Sequence, residues 1–136
     1  MILGIVGHEA AKFTLDTEQL AREVLFYMVN DTAVTEVVSG GCHLGGVDIW
    51  AIELARALGK PYREFLPATL SWEYGYKPRN IQIATVADKT VCLVVKELPP
   101  GYKGMRFTSC YHCKVGTHIK SGGCWTTKYA RSLGKP

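Results

Sequence analysis

The sequence predicts an α/β fold: a three-layer, Rossmann-like parallel sheet of about four to five strands with helices on both faces. Three observations predict it. Short apolar runs of strand length alternate with longer stretches whose apolar residues recur at helical spacing. The runs are apolar at almost every position, as expected of strands covered on both faces. Each irregular stretch follows the end of a strand, where parallel sheets bind their ligands.

The elements follow in order. Ile2–Val6 reads as the first strand. Asp16 with Gln19 resembles a capping box, and Leu20, Ala21, Val24, Leu25 and Met28 continue as a helical stripe broken at Asn30-Asp31. Val34–Val38 is the second strand, running into Ser39-Gly40-Gly41. Val47, Trp50, Ala51, Leu54, Ala55 and Leu58 form one stripe of a second helix, stopped by Gly59-Lys60-Pro61. Tyr62–Leu66 is a short third strand, followed by a loop over 67–77. Pro78 opens a helix reaching Ala87, and Val91–Val95 is the clearest central strand. Residues 97–123 hold seven Gly or Pro and show no periodicity, too long for an idle connection. Trp125–Leu133 reads as a last helix ended by Gly134. These elements form a single domain over 1–136 with a Cys/His insert at about 97–124.

Composition narrows the function classes. Hydrophobic residues at 47% and charged residues at 21% describe an ordinary globular chain. No apolar run is long enough for a membrane span, and Met1–Gly7 has no signal-peptide pattern, so a cytoplasmic protein is expected. Residues 1–95 carry 8 Lys and Arg against 11 Asp and Glu, while residues 96–136 carry 8 against 1. A net −3 is thus followed by a net +7, and the basic third suits an anionic partner or is simply a solvated face. Five cysteines argue against a disulfide scaffold; Cys42 and Cys92 stand alone in apolar surroundings.

Two glycine-rich helix starts stand out. Ser39-Gly40-Gly41-Cys42-His43-Leu44-Gly45-Gly46-Val47-Asp48 runs from a strand into a helix, where inward-turned N–H groups and the helix dipole suit a phosphate. It is neither a Walker loop nor a strict dinucleotide fingerprint, and glycines there can also serve packing alone. Asp48 caps the helix or binds a sugar hydroxyl. The second start is Ser121-Gly122-Gly123-Cys124-Trp125-Thr126-Thr127. Gly7 ends the first strand, and Arg79-Asn80 opens the helix between the two glycine segments. The planar guanidinium of Arg79 can clamp a phosphate or carboxylate, unless it is an ordinary surface arginine.

Gly4-Ile5-Val6-Gly7, Ser39-Gly40-Gly41 with Gly45-Gly46-Val47-Asp48, Arg79-Asn80, Asp88 and the late Gly-Gly/Thr helix start together resemble the SLOG superfamily. This group includes the LONELY GUY proteins and Smf-type DNA-processing proteins, and the resemblance spans nearly the whole chain. It implies a Rossmann-like domain that binds a nucleotide or nucleotide derivative. The resemblance implies ligand contacts from Gly7, Ser39, Gly40, Gly41, Gly45, Gly46, Asp48, Arg79, Asn80, Gly122, Gly123 and Thr126. Enzymatic members cleave the base–ribose bond and carry Pro-Gly-Gly-x-Gly-Thr-x-x-Glu. Here Trp125 replaces the second motif glycine and Tyr129 takes the place of the glutamate. A tyrosine cannot supply a carboxylate near neutral pH, so a binder or sensor is expected rather than that hydrolase. Members usually add a strand after the last helix; with Gly134-Lys135-Pro136 closing this sequence, the sheet is one strand short, a partner chain of a homo-oligomer supplies the edge, or the sequence is truncated.

Cys110, Cys113, His118 and Cys124 read C-x2-C-x4-H-x5-C, a set that suits a closed, structural tetrahedral zinc site. The spacing is one residue longer than the retroviral zinc knuckle, which it resembles. His112 could replace His118; a redox dithiol at Cys110 and Cys113, or unliganded cysteines, are the alternatives. The expected function is therefore binding of a nucleotide-type small molecule. A nucleotide N-glycosidase with an altered catalytic set comes second, and a zinc-dependent nucleic-acid-binding module third.

Overall fold

The computed structural model describes residues 1–136. Four parallel strands form one sheet: β1 (Ile2–Gly7), β2 (Glu36–Ser39), β3 (Tyr62–Glu64) and β4 (Lys89–Leu93), in the spatial order β3-β2-β1-β4. The helices are α1 (Leu15–Asn30), α2 (Val47–Ala57), α3 (Lys77–Val86) and α4 (Gly122–Ser132). The fold is α/β and Rossmann-like, with four strands.

The period-two alternation of β1 sorts the two faces. Leu3 and Ile5 point into a core with Leu25 and Val29 of α1 and Trp50 and Ala51 of α2. Val6 points the other way, with Val38, toward Ile83 of α3 and Ala87. Burying each such side chain contributes about 1.5–3 kcal/mol, so the α1/α2 face carries most of the hydrophobic stabilisation. α3 and α4 pack together against the second face. Its smaller cluster leaves room for polar groups.

Several elements differ from the sequence expectation. The α1 capping box is Thr14 with Thr17, not Asp16 with Gln19: Thr17 N–H donates to Thr14 Oγ1 at 3.1 Å, and Thr14 N–H donates to Thr17 Oγ1 at 2.7 Å. Asp16 lies inside the first turn, where its charge suits the helix dipole. The buried face of α1 is Ala21, Leu25 and Val29, while Leu20 and Val24 are exposed. β3 ends at Glu64, short of Leu66, because the chain turns to meet the Gly40 loop. Its edge is tied by Arg63 Nε, which donates to Glu36 Oε2 at 2.7 Å.

β4, expected to be central, is at the sheet edge and pairs with β1 alone. Val94 and Val95 have already left it, and Val95 N–H donates to His8 Nδ1 instead. On its outer side Thr90 N–H meets the carbonyl of Pro136 at 3.1 Å. Lys135 Nζ donates to the carbonyls of Ala84, Thr85 and Ala87 and satisfies the C-terminus of α3, where a cation also suits the dipole. α3 is preceded by a π-helical turn at Trp72–Tyr76.

The stretch between β4 and α4 has neither helix nor strand. Its one regular feature is a small antiparallel bridge, with Cys110 and Val115 exchanging both backbone bonds at 3.0 and 3.3 Å. Ile119 is buried, and its N–H donates to Val95 O at 2.9 Å, docking the insert beside the end of β4. No helix is long and apolar enough to cross a membrane.

Candidate functional site

β1 delivers Gly7 to the carboxyl end of the sheet, and β2 delivers Ser39 beside it. Ser39 is fully buried, and its Oγ donates to Ile5 O at 2.6 Å, locking the start of the loop to β1. A Cβ on Gly40 would strike the Asp48 carboxylate and the Arg79 guanidinium, so only glycine lets these two charged groups close over the backbone. Arg79 is itself buried: its Nε donates to Asn80 Oδ1 at 2.8 Å, and its guanidinium donates to the carbonyls of Gly40 and Phe65.

A cleft of about 250 Å³ opens at this point. Gly7, Asp48, Arg79 and Asn80 line one side; Gly122, Gly123 and Thr126 of α4 line the other. Residues from both halves of the sequence thus share one cavity. The other glycines do not reach it. Gly41, at φ +58°, faces Leu66 and Glu64. Gly45 lies 3.4 Å from Ala10 by the Cβ it lacks, and Gly46, at φ +91°, is wedged against the His8–Ala10 backbone. Val47 N–H, the first of α2, already donates to His8 O at 3.1 Å.

The cleft holds two buried polar atoms without a hydrogen-bond partner, Asp48 Oδ1 and Thr126 Oγ1. Such orphans are costly in a packed interior and mark this end of the sheet as a place where polar groups are left unpaired. Burial pushes the Asp48 carboxyl up to about 6, although the Arg79 guanidinium and the N–H groups of Gly7 and Cys42 favour its anion.

Sequence reading missed several lining residues. Lys120 reaches the cleft and sets its Nζ 5.5 Å from the Phe107 ring centroid and 5.7 Å from that of Tyr111. Trp72 and Tyr76 line it from the π-helical turn, with the Arg79 guanidinium 5.5 Å over the Tyr76 ring, and Cys42 lines it from the Gly40 loop. Trp72 meets Trp125 edge-on at 5.1 Å, and Trp125 stacks on Tyr129 at 5.4 Å. Only the aromatic richness of 72–76 offered a signal for this wall. Lys120 was legible by its position beside Ser121-Gly122-Gly123.

His8 stood out in the sequence only as part of the Gly7-His8 strand end, with no role of its own. Its ring is buried, accepting from Val95 N–H at Nδ1 (3.0 Å), so Nε2 carries the proton and donates to Lys120 O at 2.9 Å. This neutral tautomer joins the end of β1 to the approach of α4. Burial lowers its pKa to about 4 despite the favourable Lys120 carbonyl.

Behind α4, the donor atoms of Cys110, Cys113, His118 and Cys124 all lie within 4.8 Å of one another. Tetrahedral zinc would space its sulfurs by roughly 3.8 Å, so the cluster can hold a metal ion after small adjustment. His112 is outside this set. Burial opposes ionisation of Cys110, but the N–H groups of Cys113, Ser121 and His112 bring its pKa down to about 6. Cys113 is pushed up to about 11 by burial and by the neighbouring Cys124 and Cys110 thiols. The Cys92 thiol and burial together hold Cys124 far above the ordinary thiol range. One thiolate forms readily and the others resist it, a conflict that a cation at the centre would relieve. Cys92, expected to stand alone, instead lies 3.8 Å from Ser121 Oγ at the start of α4.

No family model matches the chain, and no curated protein matches it. Among solved structures, the X-ray structure of TM1055, a structural-genomics target, matches with a TM-score of 0.61 over 99% of this chain and 71% of that one, at 15% identity. That likeness supports the Rossmann-like fold.

Proposed function

We propose that the cleft binds a nucleotide or nucleotide-derived ligand through a phosphate, and that a structural zinc in the Cys110, Cys113, His118 and Cys124 cluster orders the α4 mouth beside it. The observation that carries this reading is the convergence of Gly7, Asp48, Arg79, Gly122 and Thr126 on one cavity that contains two partnerless buried oxygens. Charge orients the ligand. A phosphate avoids the Asp48 carboxylate and belongs at the N-terminus of α4 near Lys120, which leaves the Asp48 side of the cleft to the uncharged part of the ligand. The wall of Trp72 and Tyr76 suits a flat, aromatic base. At about 250 Å³ the cleft is just below the usual size of a small-molecule site, so it takes a compact ligand or the sugar-phosphate part of one.

The resemblance to the SLOG superfamily supports the same reading. Tyr129, stacked on Trp125, leaves the family's carboxylate position without a carboxylate, which favours binding or sensing over base–ribose cleavage. Thiol-rich metal coordination suits a reducing, cytoplasmic setting.

The test is a thermal-shift panel of nucleoside mono-, di- and triphosphates on the metal-loaded protein. A ligand at a hundred times its Kd stabilises by about 2.7 kcal/mol. The control is Gly122→Ala. Gly122 lines the cleft, and a Cβ there meets nothing within 4 Å, so the methyl is added at the cleft's rim without straining the fold. It is expected to keep stability and abolish the shift. A panel that gives no shift, or a shift unchanged by Gly122→Ala, overturns the proposal. Elemental analysis expects one zinc per chain.

A further inference from the structure

The insert between β4 and α4 holds a group of rings beside the cleft that the small-ligand reading does not use. The bridge between Cys110 and Val115 closes a tight loop over 111–114. Lys114 completes that loop at φ +57°, alone among the non-glycine residues in taking a left-handed φ. Tyr111 projects from it with 58% of its surface exposed. Its ring centroid lies 4.4 Å from that of His112 and 6.0 Å from that of Phe107, so three rings are gathered at one place. Lys120 Nζ stands 5.5 Å from the Phe107 centroid and 5.7 Å from that of Tyr111, and the same residue lines the cleft. Lys120 therefore connects the rings to the cleft. Around them Lys103, Arg106 and Lys114 on the insert and Lys128 on α4 are exposed, and none of the four has a salt-bridge partner. Glu97 is the only acidic residue in 96–136.

We infer that this platform binds single-stranded nucleic acid, with bases stacking on Tyr111 and its neighbouring rings while the phosphates run along the exposed cations. Three features select that partner. A lone nucleotide fills the cleft and leaves the outer cations unopposed. An acidic polypeptide would oppose the cations and leave the rings idle. A strand of phosphates carrying flat bases answers both, since stacking on aromatic rings and a cationic track together hold single strands without reading their sequence. A duplex hides its base faces within its own stack, so the rings favour the unpaired strand. The strand's terminal phosphate enters the cleft beside Lys120. This anchoring rests on the cleft reading above, whereas binding to the platform does not.

The experiment titrates the full chain into a labelled oligothymidine of about ten nucleotides and reads fluorescence anisotropy. The strand carries a phosphate at neither end, at one end or at the other. Single strand is expected to bind more tightly than the same strand annealed to its complement. With about four phosphates neutralised, affinity falls roughly fiftyfold from about 50 to about 200 mM salt. Tyr111→Ala alters an exposed ring and is expected to weaken binding about fivefold or more, while Tyr111→Phe restores it. Lys114→Asn, which tolerates the left-handed turn, is expected to lower the salt slope by about one. A phosphate at one end tightens binding about tenfold, and Gly122→Ala cancels that gain. No oligonucleotide binding, equal binding of the duplex, or displacement by polyglutamate with Tyr111→Ala unchanged overturns the proposal, even where mononucleotides still shift the melting temperature. Binding that responds to Tyr111→Ala, but to neither the terminal phosphate nor Gly122→Ala, upholds the platform and overturns the anchoring in the cleft.

Discussion

The two glycine-rich helix mouths look interchangeable as sequence, yet they do different work. At α2, Gly45 and Gly46 are used up by packing: the chain turns through positive φ and presses on the His8–Ala10 backbone, and His8 O takes the first helix N–H. At α4, Ser121 caps the helix by accepting from Gly123 N–H at 3.1 Å, and the exposed Gly122, a lining residue of the cleft, has nothing within 4 Å of the Cβ it lacks. One mouth is closed by the backbone packed against it; the other is capped by its own Ser121 and borders the cleft. A glycine run therefore signals close approach, and only the neighbours reveal whether backbone or ligand makes that approach.

The largest test of this contrast is Gly46→Ala. Its methyl would collide with the His8 carbonyl at a left-handed φ, so a loss of roughly 3 kcal/mol or more in urea unfolding is expected. A wild-type midpoint would mean that the backbone does not close this mouth.

Next comes pH, through the residue that touches both mouths. The pKa of His8 is about 4 when folded, below its ordinary 6.5, so the unfolded chain takes up the proton first. Stability from this group is whole above pH 6.5 and falls, by about 3 kcal/mol in all, as pH drops toward 4. Asp48 acts oppositely. Its folded pKa of about 6 lies above 3.8, so the folded chain binds its proton first and gains stability over nearly the same window. The two effects offset each other, giving a shallow acid limb. Asp48→Asn removes one of them, and unfolding measured from pH 7 to 4 should then steepen. An unchanged slope counts against the raised pKa of the buried Asp48.

Smaller still is Ser121→Ala, expected to cost about 1 kcal/mol by loss of the cap at α4. Gly122→Ala should move stability by less than about 0.5 kcal/mol, read in the same unfolding assay, while eliminating ligand-induced stabilisation. The ranking Gly46, then Ser121, then Gly122 is itself the prediction. Its reversal would exchange the roles of the two mouths.

Much of the fold was legible because local patterns carried it. The Ile2–Val6 run, the α2 stripe and Pro78 each state a local preference that the fold accepts. The cap of α1 was misplaced by two residues because Thr14 and Asp16 are both good cap residues and only backbone geometry separates them. The apolar Val91–Val95 run read as central because hydrophobicity reports covering of both faces, not pairing along both edges.

The sequence alone determined the α/β class and the order of elements and named Cys110, Cys113, His118 and Cys124 as one candidate set, since periodicity and ligand spacing are properties of the chain itself; the structure chose His118 over His112. Tertiary structure decided which glycine mouth opens on the cleft, that Asp48 Oδ1 and Thr126 Oγ1 are buried there without partners, that His8 bridges both mouths, and that Cys92 lies beside Ser121. Those facts depend on contacts between residues up to 112 positions apart, as in the bond from His8 to Lys120. Burial, pKa and packing arise only where such distant segments meet.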